Sequence, residues 1–465
     1  MERVDTIIKN ASWLITVDPR RRIIRDGAVA IRGGRIVAVD KTRELESAFV
    51  ADDVLDARNK VVTPGLIDSH LHSSFQLSRG LADEVGSKRF LFERMYPYEG
   101  SLSDDDTYWS ALLCCYESLR HGVTCFVDPG NYAPSATVRA VEESGMRAII
   151  AKSCMDVGTS AFGKLPERFL ETAEEGLARS LEVVEQHHGA AGDRVRVALS
   201  CRGINNCSDA FLKMMSDAAG ELKTILQAHA CFAIDTRDAS LLQHGVTEIE
   251  RLARLEALSD RLLLIHTGWA TPADLALLRS HDVKVVVCAS SSLHNGYGNL
   301  LMGHAPEQME DGMRIGMGSD HASSGIVDLV SEMLLVAGGY KEIRLNPAIL
   351  PPEQIVEMAT INGAACGHWE DEIGSLEVGK RADITLFDAT KPEWQPLYNP
   401  VSNLVYSANG NTVDSVLVDG RLLVAGGQVL SIDYDSVLKQ IGDRAESILE
   451  RTGLRAQATP KWPIS

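Results

Sequence analysis

Val61-Val62-Thr63-Pro64-Gly65-Leu66-Ile67-Asp68-Ser69-His70-Leu71-His72 is an apolar run that ends in two histidines. Val61 and Val62 are β-branched, Leu66 and Ile67 continue the run, and the whole reads as one strand. Side chains alternate along an extended chain, so His70 and His72 point the same way. Two neutral imidazoles at a strand's end are suited to one divalent metal. The competing reading is a buried strand with two hydrogen-bonded core histidines. The motif alone does not choose; the choice depends on whether later segments bring further ligands to the same place.

Downstream, short apolar strands alternate with helical stretches, which implies a parallel sheet. Strands are expected over 122–128, 147–151, 195–199, 225–229, 262–266, 284–288 and 314–320, with helices over 104–120, 134–144, 167–187, 208–221, 248–258 and 272–280. Together with 61–72 these make eight strands. The expected class is α/β, a (β/α)8 TIM-type barrel over 61–372. The ends differ. Residues 1–60 and 373–465 are rich in short strands with turns at Asp26-Gly27, Gly33-Gly34 and Asp419-Gly420. They are expected to form one small β-sandwich built from both termini, followed by a C-terminal helix.

In such barrels the active site lies at the C-terminal ends of the strands. His70 and His72 close strand one, His229 strand five, His266 strand six and Asp320 strand eight. Any one of them alone reads as structural. All five at one end of four strands read as a site.

Composition narrows the function. A net charge of -18 over 465 residues argues against nucleic-acid and anionic-membrane partners. The 9 cysteines are scattered, with no C-x-x-C, which suggests buried thiols in a reducing compartment. The start shows no apolar signal region and no segment looks able to span a bilayer. The expectation is a cytoplasmic enzyme of small molecules, and a homo-oligomer, dimer or tetramer.

The chain resembles the amidohydrolase superfamily, in the branch holding triazine chlorohydrolases and cytosine-type deaminases. Pro64 to His72 looks like that family's opening metal motif, and Arg79-Gly80-Leu81-Ala82-Asp83 like the segment that follows. Gly318-Ser319-Asp320-His321-Ala322-Ser323-Ser324 looks like its strand-eight motif, and Gly374 to Asp383 like its return to the β-domain. The resemblance implies a deformed barrel, a flanking β-sandwich and one divalent metal: zinc, alternatively cobalt, manganese or iron. It implies that His70, His72, His229 and Asp320 hold the metal, with His266 beside them. Asp320 then takes a proton from the attacking water, and His266 hydrogen-bonds the substrate or that water.

The departures from the pattern matter as much. Deaminases of this branch carry a glutamate three residues after the strand-five histidine; this chain has Phe232. Strand four often has a histidine and an aromatic pair there; this chain has Arg202-Gly203-Ile204-Asn205-Asn206. Asn205 and Asn206 either face the substrate or close a turn. Ring deamination is disfavoured without the acid. The expected reaction is attack on the carbonyl of a urea, carbamate, thiocarbamate or amide, breaking a C–N or C–S bond. Within the superfamily the chain looks most similar to phenylurea hydrolases and molinate hydrolase. The alternatives are an aminohydrolase or chlorohydrolase of a purine, pyrimidine or triazine ring, a binuclear amidase, and a binding protein. Strand four lacks a lysine to bridge two metals, since Lys152 is on strand three, so one metal is favoured. Phe232, Trp269, Asn205, His294 and His321 are the candidate substrate contacts, with Phe75, Phe92 and Tyr297 as possible apolar wall. Cys231 and Cys288 are expected to be packing thiols.

Overall fold

A computed structural model describes residues 1–321, 325 and 327–464. Ala322, Ser323 and Ser324 of the strand-eight motif lie outside the described residues. Eight parallel strands pair in chain order: Leu66–Asp68, Val123–Val127, Arg147–Ala151, Val195–Gly203, Leu226–Ala230, Leu262–His266, Lys284–Val287 and Ile315–Met317. Two backbone bonds bring the last strand to the first. Ser69 N–H donates to the Met317 carbonyl at 2.9 Å, and Asp320 N–H to the His70 carbonyl at 2.8 Å. The result is a nearly closed TIM-type barrel.

The period-two alternation of the strands sorts their side chains. Ile67, Val127, Ile149, Ala151, Ile265 and Val286 face one interior cluster, joined by Trp369. Ala148 and Ile150, the intervening residues of strand three, pack outward against the helices. Helices between strands start where their sequence allows it. Ser103, Thr172 and Thr271 each form a reciprocal capping box with the residue three positions on.

The opening stretch is two strands rather than the one expected. Lys60–Pro64 pairs antiparallel with Ile384–Asp388, inside a seven-stranded sheet that both ends of the chain build. The chain then passes to the barrel at Gly65, and strand one is Leu66–Asp68. Glycine is required there, because a Cβ would lie 2.2 Å from the Thr124 hydroxyl on strand two. A four-stranded sheet of Arg35–Lys41, Gly27–Arg32, Glu2–Ala11 and Phe49–Asp56 completes the terminal part. The barrel is tied to this part by Arg147, fully buried at the start of strand three. Its guanidinium meets Asp383 at 2.9 Å and Asp419 at 2.6 Å.

The C-terminal helix, Tyr434–Thr452, lies against the barrel helix Asp104–Arg120. Its Ile448, with Leu454 beyond it, shares a buried cluster with Phe75, Phe90 and Tyr98. So the end of the chain supports the loop that follows strand one. No helix among the described residues is long and apolar enough to cross a membrane.

Candidate active site

Four strand ends deliver one polar cluster into an apolar mouth. Ligand atoms of His70, His72, His229 and Asp320 all lie within 4.8 Å of one another. His70 Nε2 is 3.1 Å from Asp320 Oδ1 and 3.3 Å from His229 Nε2. His72 Nε2 is 3.5 Å from the same Asp320 oxygen. His266 Nε2 approaches the other oxygen, Oδ2, at 3.6 Å. The sequence reading named all five, and the fold brings all five together.

The local backbone is unusual where it delivers them. His266 has φ 78°, Asp320 φ 48° and Cys231, just past His229, φ 48°. Left-handed backbone at non-glycine residues is strained and gathers at functional sites. Here it turns the chain out of each strand so that the side chains face inward.

The donor set fits a divalent cation. His229 Nδ1–H donates to the Arg202 carbonyl at 2.8 Å, which leaves the Nε2 lone pair facing the cluster. Burial holds His70 and His229 neutral by pushing each down to about 3. Three neutral imidazoles and one carboxylate, with acceptor atoms turned towards one another, form a three-nitrogen, one-oxygen set of the kind that takes zinc and its neighbours.

A cavity over this cluster comprises about 670 Å³ of space, counting its mouth, which opens to solvent. Six phenyl and phenol rings line it: Phe75, Phe90, Tyr96, Phe162, Phe232 and Tyr297. Phe75 stacks on His72 with ring centres 4.7 Å apart. Phe232 lies edge-on to Tyr297 at 5.3 Å and 5.8 Å from the His266 ring.

The candidate substrate contacts divide. Phe232 and Asn205 line the cavity. Trp269 does not; its indole N–H donates to the Tyr297 carbonyl at 2.8 Å and so braces a wall residue from behind. His294 is exposed, 3.0 Å from Asp83, and is drawn outward by that carboxylate. His321 is buried, but Arg79 lies 2.9 Å from its Nε2, and it faces a separate cavity beside Glu332. Phe92 packs on Tyr96 and Phe162 behind the wall. Cys231 and Cys288 are buried, and burial raises both thiols well above their usual range.

Two cavity residues carry chemistry that the sequence reading did not single out. Arg202 is buried and paired with Glu99, and its guanidinium sits 5.4 Å over the Phe75 ring. Glu248 reaches the cavity from the first position of the helix Glu248–Arg254. In sequence it follows Thr247 as part of an ordinary helix start, and nothing in that spacing relates it to His229.

A barrel hydrolase with a histidine–aspartate metal centre is the class that this fold and site define. The chain belongs to the amidohydrolase family, whose description it matches over residues 61–423. A short second match, to the bacterial imidazolonepropionase-like composite domain, covers residues 27–49. The 5-methylthioadenosine/S-adenosylhomocysteine deaminase of Desulforudis audaxviator (strain MP104C) is 33% identical over 429 residues, 91% of this chain and 95% of that protein. Among solved structures, a zinc-bound adenosine deaminase from Xanthomonas campestris superposes with a TM-score of 0.88 at 25% identity, covering 96% of this chain and 99% of that one. The zinc-complexed atrazine chlorohydrolase of Arthrobacter aurescens TC1 superposes at 0.83 with 22% identity, over 95% and 100% of the two chains, a likeness of fold. The protein is thus a metal-dependent hydrolase acting on carbon–nitrogen bonds.

Proposed function

We infer that this hydrolase attacks the acyl carbon of an apolar small molecule: an N-substituted urea, carbamate, thiocarbamate or amide. The observation that carries the reading is Phe232. It occupies the wall beside His266 where related ring deaminases are expected to keep a carboxylic acid. A phenyl ring neither gives nor takes a proton, so protonation of a ring nitrogen from that side is lost. Acyl carbons attached to aniline or thiolate leaving groups need that assistance less.

His70, His72, His229 and Asp320 would hold the metal. A divalent ion there polarises a carbonyl and makes water a stronger acid, and zinc is the ion that the cited structural neighbours hold. Asp320 accepts a proton from the attacking water. His266, held near Asp320 and neutral, hydrogen-bonds the substrate oxygen or the water. The aromatic walls orient the substrate and exclude bulk solvent, so the polar groups act in a medium of low dielectric.

A second reading has the comparisons behind it. Two of the three named proteins, including the one most identical in sequence, are deaminases of adenosine-type compounds, and that favours an aminohydrolase more than hydrolysis of ureas or thiocarbamates. The two readings differ in product. Metal-loaded protein is offered ureas, thiocarbamates and amides alongside adenosine-type nucleosides, and amine, thiol and ammonia are measured. Release of amine or thiol supports the acyl reading; ammonia alone, from the nucleosides, establishes the second.

A further inference from the structure

Two carboxyls line the cavity, Asp320 and Glu248. Asp320 belongs to the histidine cluster; Glu248 stands apart from it. Glu248 is 2% exposed. Its Oε2 accepts from Cys231 N–H at 2.7 Å and its Oε1 from the Asn205 amide at 3.2 Å. Neither donor is charged, and no ion pair includes Glu248 among the described residues.

The charged groups on the neighbouring elements are engaged elsewhere. Arg251 donates to Asp209 at 2.7 Å and to the carbonyls of Ile204 and Cys207 at 2.9 and 2.7 Å. Asp274 accepts from Thr247 at 2.6 Å and Thr271 at 2.8 Å. Arg237 pairs with Asp238 at 2.8 Å. A buried carboxylate with no cation is costly, so such a group keeps its proton or meets a ligand. Burial accordingly raises Glu248 to about 7. Beside it, Asn205 Oδ1 is buried without a donor. Apart from the histidine–aspartate cluster and Arg202, the cavity therefore has a further polar corner at Asn205 and Glu248, and that corner holds an acid.

We propose that Glu248 is the proton donor to the leaving nitrogen or sulfur, reaching the cavity from a helix start because Phe232 supplies no acid from strand five. The proposal rests on the acyl reading above. Water loses a proton to Asp320 as its oxygen bonds to the acyl carbon. The bond from that carbon to the leaving atom breaks, its electron pair stays on the leaving atom, and that atom takes the Glu248 proton. Glu248 regains a proton from solvent and Asp320 releases one there. One water is consumed; cleavage at nitrogen forms an amine and a carboxylic, carbamic, carbonic or thiocarbonic half, and cleavage at sulfur forms a thiol and a carbamic half.

Glu248→Gln is the test, because glutamine can still accept from Cys231 N–H but has no proton to transfer. Native and variant metal-loaded proteins are compared on N-aryl ureas whose anilines differ in basicity. The expected loss in kcat is about 100-fold for the most basic leaving groups, typical of a lost general acid. It should shrink steadily as the aniline becomes less basic, with metal content unchanged. A loss equal across the series, or none, overturns the proposal, since bracing Cys231 would not discriminate among leaving groups. If Glu248→Gln does not fold, Glu248→Asp, which withdraws the acid, takes its place with the same two outcomes. Infrared titration of the native protein needs no substrate. A carboxylic-acid band titrating near neutral pH and missing from the variant is expected; its absence contradicts the proposal. Should the native protein release only ammonia from aminated rings, the acyl reading fails. The variant is then compared on ammonia release, where a loss is expected and unchanged release overturns the role of Glu248.

Discussion

His229, partly buried, and His266, buried, stand at the ends of adjacent strands, yet the geometry gives them different work. His229 is oriented by the Arg202 carbonyl and presents Nε2 to His70 at 3.3 Å, inside the ligand set. His266 approaches the other oxygen of Asp320, at 3.6 Å, and makes no contact of that kind with the His70–His229 pair among the described residues. His229→Ala should therefore remove both bound metal and activity, read by elemental analysis and turnover. His266→Ala should retain the metal and lose about two decades or more in kcat. A His266 variant that loses its metal and recovers full rate when metal is restored would make that residue a ligand or orienter only. At this scale the sequence was most informative about ligands, because their spacing puts them at or just past the C-terminal ends of strands, where the turning backbone aims them inward. It was least informative about Trp269, His294 and His321. Each lies near a motif, but a carbonyl, a carboxylate and a guanidinium, all distant in sequence, hold them away from the cavity. Glu248 was invisible for the converse reason, since its relation to Cys231 exists only once strand five and the helix Glu248–Arg254 are packed.

The opening stretch shows what periodicity does and does not encode at the scale of elements. Val61 and Val62 are as apolar and β-branched as a barrel strand needs, but their partners lie in Ile384–Asp388, beyond any local pattern. Pro64-Gly65 marks the break, and the tight approach of strand two explains the glycine. Gly65→Ala should destabilise the protein by about 1–3 kcal/mol, the usual cost of forcing an extra methyl into a packed site. The measurement is the urea midpoint, and Thr124→Gly in the same chain should recover part of the loss. An alanine variant as stable as the native protein would mean that the strands can separate freely there. Helices with a capping box or an N-terminal proline were legible almost to the residue, as in Asp104–Arg120 and Pro272–Ser280. The helix expected from residue 167 starts at Ala173, where Thr172 and Glu175 supply the cap.

At the scale of the whole molecule, the alternation of strands and helices gave the barrel, and the strand-rich ends gave the sheet part to which both termini contribute. The packing of the final helix under the loop after strand one was not legible, because its apolar residues carry no address. What the cavity acts on depends on the same kind of long-range assembly: aromatic residues from several loops meet over one polar cluster. The decisive quantity is the ratio of kcat/KM for an N-aryl urea to that for 5'-deoxyadenosine, measured on the native metal-loaded protein. An apolar wall at Phe232 predicts a ratio well above one, and a lower ratio in Phe232→Glu, whose carboxylate burdens the apolar substrate. A native ratio far below one, with ammonia as the product, would contradict acyl attack and make this chain a deaminase that finds its acid elsewhere.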